Sequence, residues 1–432
     1  MKQQSYLIRI CFTYIVLFIA LDFVSNNLLN ESIYGMLIIV ICLINIIELA
    51  ITNSLFSPRL FSSLFLLTYG LYELRLSTQI KGLTASAQIL ILFCMLSWDV
   101  ICCTNPYNFI RIPEKRNIIF NLSIDRLKIV TVGIFIISAI CMLYEWYRFG
   151  GVPALSQNLE ITRFDISVNP YIHIVAVMQR IVAVFTVIYL IKRRSVLMCV
   201  ILVCSLLLLL GLGARAELLY PILISLIIGY NYYFFPKRKL LIWGIIVFII
   251  IGVVPLIRHY ISFGSSYISD LRSISRYPSL YFLTPLYESF AYNLEIFQVD
   301  FSSFPKLLPY GFGTYTVLPN IPFVHLGQSI TDVQNYLLGN NFYAGLASTY
   351  LGSVYADYGF IGSIVFTIVM SFVVNHIYAK KQRDNKLTTL IIYAYVYYAV
   401  LMGFYHYVFD VVFFFYLIII VFSIYYVKKD RT

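Results

Sequence analysis

Away from its basic clusters the chain keeps few cations, and most of them are arginine: Arg75, Arg148, Arg163, Arg180, Arg215, Arg258, Arg272 and Arg276, beside Lys81 and Lys306. Arginine suits a phosphate because its planar fork makes two parallel charge-assisted hydrogen bonds. Arg215 stands in the run Gly211-Leu212-Gly213-Ala214-Arg215-Ala216-Glu217. Its glycines permit a tight turn, and a helix starting there would aim its N-terminal amides at the same point, a seat for pyrophosphate. The competing reading is an interfacial arginine paired with Glu217. Arg180 lies near the middle of an apolar run, where a charge costs about 2.5–3.5 kcal/mol on insertion scales. It either holds an anion or is paired with an acid inside the membrane. Arg258 ends another apolar run. Arg272 and Arg276, four residues apart, are expected on one helix face, with an anion or water between them.

Proton transfer needs a base. His325, Glu288 and Asp357 are the favoured candidates, and His325 carries the side chain whose ordinary pKa, near ~6.5, suits neutral pH. The competing role for each is surface or packing. The stretch 260–343 is also rich in tyrosine. Aromatic faces with phenol hydroxyls are compatible with sugar rings, which have an apolar face and a polar rim.

These residues have to be positioned by membrane helices. Of 432 residues, 60% are apolar and 12% charged, against about 25% charged in soluble domains. About twelve runs reach membrane-spanning length. They are Leu7–Val24, Tyr34–Ile51, Pro58–Leu76, Thr84–Cys103, Ile129–Tyr147, Tyr171–Ile191, Ser195–Leu212, Glu217–Phe235, Leu240–Tyr260, Tyr358–Tyr378, Thr388–Tyr405 and Phe409–Val427. The expected fold is therefore all-α, one polytopic domain over 1–432. The stretch Ala344–Val374 exceeds one span and should split near Tyr358-Gly359 into a helix lying against the membrane and a true span. Ser348, Gly352 and Ala356 would allow close packing there.

Charge orients the bundle. Basic clusters occupy every second gap: Lys2 and Arg9; Arg59; Arg111 to Lys128; Lys192 to Arg194; Lys237 to Lys239; Lys380 to Lys386; Lys428 to Arg431. That side is expected to be cytoplasmic, with both termini, while the loops 148–170 and 261–343 face outward. The net charge of +11 is thus a topology signal and not a nucleic-acid surface. The N-terminal run has no small-residue cleavage site and reads as an uncleaved span. The eight cysteines lie in or beside apolar runs and imply neither disulfides nor zinc. No phosphate-binding glycine loop, zinc-protease motif, nucleophile elbow or Asp-x-Asp pair is present. Any reaction is expected to use membrane-borne substrates, without metal or other cofactor.

Several of these segments occur together in a known pattern. Gly150-Gly151-Val152-Pro153 with Arg163, the Gly-x-Arg-x-Glu run at Gly213–Glu217, the long outward loop, and Thr349-Tyr350 followed by Tyr355-Ala356-Asp357-Tyr358-Gly359-Phe360-Ile361-Gly362 resemble the bacterial O-antigen polymerase (Wzy) family. The resemblance covers roughly residues 145 to 375. It implies a metal-independent glycosyltransferase of the bacterial inner membrane that joins oligosaccharide repeat units carried on undecaprenyl pyrophosphate. Donor and acceptor would both be lipid-linked, and a chain-length regulator and a flippase would be partners. It assigns functional arginines to two outward loops, here Arg163 in one and Arg272 and Arg276 in the other. Motif position adds Arg215 and Arg258, whereas Arg180 and the base candidates come from the residues alone. A lipid-linked oligosaccharide flippase and an O-antigen ligase are the alternatives.

Overall fold

Inside a bilayer a backbone N–H or C=O has no water to bond, so an apolar run must satisfy itself as a helix. The computed structural model describes residues 2–52, 54–78, 80–109, 118–155, 170–212, 215–233, 242, 265–307, 348–405, 408–409 and 411–428. Among them the chain is all-helical, with only isolated β-bridges. The helices are α1 Lys2–Ser25, α2 Glu31–Ile51, α3 Arg59–Glu73, α4 Ala85–Thr104, α5 Ile124–Phe149, α6 Pro170–Ala176, α7 Gln179–Lys192, α8 Val196–Gly211, α9 Arg215–Tyr233, α10 Ser265–Ile274, α11 Thr284–Leu307, α12 Tyr350–Asp384, α13 Leu387–Met402 and α14 Val411–Val427. Among the described residues six helical segments are long and apolar enough to cross a membrane, and four more are shorter apolar helices. Every expected run but the ninth coincides with helix; of Leu240–Tyr260 only Ile242 is described.

Local sequence sets the ends. Asn30, Thr84 and Ser123 cap α2, α4 and α5 by accepting a backbone N–H from Ser32, Ala87 and Arg126. Gly150 closes α5 in the left-handed region at φ 88°. The segments that carry basic clusters meet one another. Arg59 bonds Glu48 at 3.0 Å, Ile119 N donates to Asn385 O at 2.8 Å, and Leu122 pairs with Lys428. The opposite ends meet likewise, with Tyr350 N on Gly403 O at 2.9 Å and Thr84 N on Gln298 Oε1 at 2.8 Å.

Three expectations change. First, α12 does break at Gly359, whose φ of 66° and ψ of −164° are non-helical, but the piece before it does not lie against the membrane. Residues Tyr350 to Asp357 are all buried, because Gly352 lets α12 come close to the Asp300 carboxylate of α11. Second, Arg272 and Arg276 do not share a helix face. Helix α10 ends at Ile274, Ser275 bridges to Ser77, and Arg276 N donates to Leu76 O at 2.9 Å. Pro278 then stands where a helix could not continue. Third, the described first half of the long loop is mainly helical and docks on residues 72–84. Tyr287 Oη donates to Tyr72 O (3.0 Å), Ser77 Oγ to Glu288 Oε1 (2.9 Å) and Tyr72 Oη to Glu295 Oε2 (2.6 Å).

Helices α2 and α3 approach each other backbone to backbone. A Cβ on Gly35 would stand 2.7 Å from Gly70 O, and one on Gly70 would stand 3.0 Å from Gly35 O. That contact buries Tyr34, Tyr69 and Glu73. Gly35→Val should therefore overpack the pair and cost about 1–3 kcal/mol. The check is a lower Tm in detergent than for Gly133→Val, where a Cβ would meet nothing within 4 Å.

Candidate functional site

The sixth apolar run has no proline or glycine in its interior, yet its helix is interrupted. Helix α6 ends at Ala176, Val177 and Met178 form a turn, and α7 begins at Gln179. The turn is tightened by bonds three residues apart, Arg180 N to Val177 O (3.1 Å) and Ile181 N to Met178 O (2.9 Å). Arg180 is thus the second residue of a half-helix whose positive end begins within the bundle.

Arg180 faces Glu217 in the first turn of α9. Its Nε and Nη2 donate to Oε2 and Oε1 of that carboxylate as a bidentate fork. The guanidinium also stands 5.2 Å from the centre of the Tyr220 ring. Nη1 takes no part in the fork. One turn before the break, His173 Nδ1 lies 3.1 Å from Glu145 Oε2. Glu145 is buried, and its Oε1 has no hydrogen-bond partner among the described residues. When Nδ1–H donates to this carboxylate, His173 Nε2 is left as an acceptor.

His173, Arg180, Glu217 and Tyr220 border a cavity of about 190 Å³ between α6, α7, α9, α13 and α14, and Glu145 stands behind His173. Its wall is aromatic: Tyr220, Tyr395, Tyr398, Phe413 and Tyr416. The hydroxyls fix the wall, Tyr416 Oη donating to Ile174 O (2.8 Å) and Tyr395 Oη to Phe413 O (2.9 Å). The volume is below the ~300–1,000 Å³ of pockets that enclose a whole small ligand. It fits a single small group of a larger ligand.

The sequence-derived candidates divide sharply. Arg180 lines the cavity, in the paired state that stood against the anion reading. Arg215 opens α9 two residues before Glu217. Arg163, Arg258 and His325 lie outside the described residues. Glu288 and Asp357 are not part of the cavity: Glu288 holds Ser77, and Asp357 is fully buried in α12 before its break. Arg272 is exposed, its guanidinium 4.8 Å from the Tyr281 ring, and Arg276 borders a separate hollow beside Asn27 to Ser32. Sequence reasoning did not select Glu145 and His173 as a pair. The available signal was Glu145 itself, an acid within an apolar run. Gly211 packs closely on the end of α5 and the segment after it, since a Cβ there would run into the Trp146 ring and lie 3.3 Å from Val152 Cγ1.

No family model matches the chain, and no curated protein or solved structure does either.

Two outcomes test this geometry. Arg180→Met should strand a buried carboxylate and cost about 3–5 kcal/mol, whereas Arg180→Met with Glu217→Leu should recover most of that loss. Thermal unfolding in detergent reads both, and simple addition of the two single losses would contradict the pairing. The second concerns Glu288. Burial pushes its carboxyl above the usual range, against the opposing effect of the Ser77 hydrogen bond. A raised folded pKa means that its contribution to stability is full at low pH and is lost as pH rises through that pKa. Glu288→Gln should flatten that fall in Tm between acid and neutral pH.

Proposed function

We propose that this protein is a membrane glycosyltransferase joining lipid-linked oligosaccharide repeat units, a polymerase of the O-antigen type. The observation that carries the reading is one cavity, among the bundle ends opposite the basic clusters, lined by an arginine fork, a tyrosine wall and His173, which Glu145 backs from behind. The all-helical bundle of apolar helices fits substrates that arrive within the membrane. The sequence resemblance points to the same chemistry. The bacterial inner membrane, with catalysis on its outer face, is the location this reading requires.

In the proposed reaction an acceptor hydroxyl of one lipid-linked unit attacks the anomeric carbon of the donor glycan. The carbon–oxygen bond to pyrophosphate breaks, and undecaprenyl pyrophosphate leaves with the electron pair. His173 Nε2 takes the hydroxyl proton, and Glu145 steadies the imidazolium. His173 thereby fills the role that the sequence offered to His325, Glu288 and Asp357. The charge developing on the leaving group is met by Arg180 Nη1 and the positive end of α7. Arg180 and Glu217 cancel as a pair, so a pyrophosphate needs further cations, and Arg215 and Arg258 are proposed to supply them. No step calls for a metal ion, because arginines take the part that an Asp-x-Asp-bound metal plays for sugar nucleotides.

The helix break and its ion pair also favour a second reading, a lipid-linked oligosaccharide transporter. A deletion strain separates the two. Loss of a polymerase leaves lipopolysaccharide with a single repeat unit, whereas loss of a flippase or a ligase leaves none. Complementation with His173→Ala, or with Arg215→Ala and Arg258→Ala together, at wild-type expression, should leave only the single-repeat form. Full-length ladders would refute the assignment of these residues. Polymerisation in detergent should also survive EDTA; loss on chelation, restored by a divalent ion, would refute the metal-free step.

A further inference from the structure

A second cavity, of about 430 Å³, lies at the other end of the bundle between α12, α13 and α14. Three lysines border it from three places in the chain. Lys380 is on the last turns of α12, Lys386 caps the start of α13, and Lys428 follows α14. They are gathered by the left-handed turn at Asn385, φ 48°, which reverses the chain between α12 and α13, and by the pairing of Leu122 with Lys428. Among the described residues the rim carries one carboxylate, Asp384, which accepts from Thr389 Oγ1 at 3.3 Å. None of the three ammonium groups makes an ion pair among the described residues. Three cations against one anion leave the rim positive before His376 is counted.

Beside the polar Asn121, Thr388 and Thr389, the wall has an apolar part from Ile377, Ile392, Val421 and Ile424. On both flanks, exposed apolar side chains continue away from the lysines: Val369 and Phe372 on α12, and Phe422 and Tyr425 on α14. A positive rim above an apolar flank matches an amphiphile with a single anionic head. The cations are lysines, point charges that hold a singly charged phosphodiester without the fork geometry that pyrophosphate recognition favours.

We propose that this cavity binds an anionic phospholipid from the membrane leaflet at the basic end, its phosphodiester among Lys380, Lys386 and Lys428 and its acyl chains along α12 and α14. The site stands apart from the proposed catalytic cavity and does not depend on the glycosyltransferase reading. Occupancy would tie together three helix ends that otherwise repel one another.

Native mass spectrometry of the full-length protein tests this, with phosphatidylglycerol, phosphatidylcholine and glycerol 3-phosphate as probes. Phosphatidylglycerol should be retained over phosphatidylcholine, and that preference should shrink as salt rises. Each Lys→Ala change should weaken retention about fivefold, and the triple variant about a hundredfold. Val421→Trp, which leaves every charge in place, should weaken it by crowding the apolar wall and keeps the test open if the triple variant does not fold. Equal retention of the two lipids, or an unchanged affinity in Val421→Trp and the lysine variants, would overturn the proposal. Displacement of the lipid by an equal concentration of glycerol 3-phosphate would also overturn it, since the site would then be one for soluble phosphate.

Discussion

A charge held inside a bundle of apolar helices has to be met by another, and here Arg180 is met by Glu217. The bidentate fork joins the second residue of α7, just after the turn that interrupts the sixth run, to the first turn of α9. The turn at Val177–Met178 leaves His173 on α6, one turn earlier, within reach of Glu145 on α5. Helices α13 and α14 then close the space with tyrosines whose hydroxyls bond to backbone carbonyls rather than being left unpaired in an apolar wall. The cavity is what remains between a fixed ion pair and these rings. Removing one member of the pair would disturb packing as well as chemistry.

The other half of the molecule is organised by close backbone approach. Gly35 and Gly70 bring α2 and α3 together, and Gly352 brings α12 against α11. Helix α11 carries Glu288, Glu295 and Gln298, and these side chains bind residues 72–84 instead of facing the Arg180 cavity. The described part of the long loop is therefore a brace across helix ends. Its acids hold a connection in place, which is a use of buried polar groups that satisfies them rather than activating them.

The helices were legible because lipid leaves an apolar run few alternatives. The break at Gly359 was legible too, since the run was too long for one span and a glycine stood at the right place. The break at Val177–Met178 was not, because nothing between Tyr171 and Ile191 interrupts the apolar pattern. The partner that Glu217 takes, Arg180, lies 37 positions away in sequence and on another helix, so no local spacing points to it. The spacing of Arg272 and Arg276 misled for the opposite reason, as a helix-like interval that runs past the end of its helix. The His173–Glu145 pair spans 28 residues, and such a contact follows only from how α5 and α6 pack.

The proposed transfer of a lipid-linked glycan in the Arg180–His173 cavity is tested most directly by polymer formation by the purified protein from lipid-linked repeat units, with released undecaprenyl pyrophosphate counted against bonds made. The wild type should release one pyrophosphate per linkage. His173→Gln, at unchanged thermal stability, should give neither product. Polymer formed by that variant at the wild-type rate would contradict the role of His173 and the cavity.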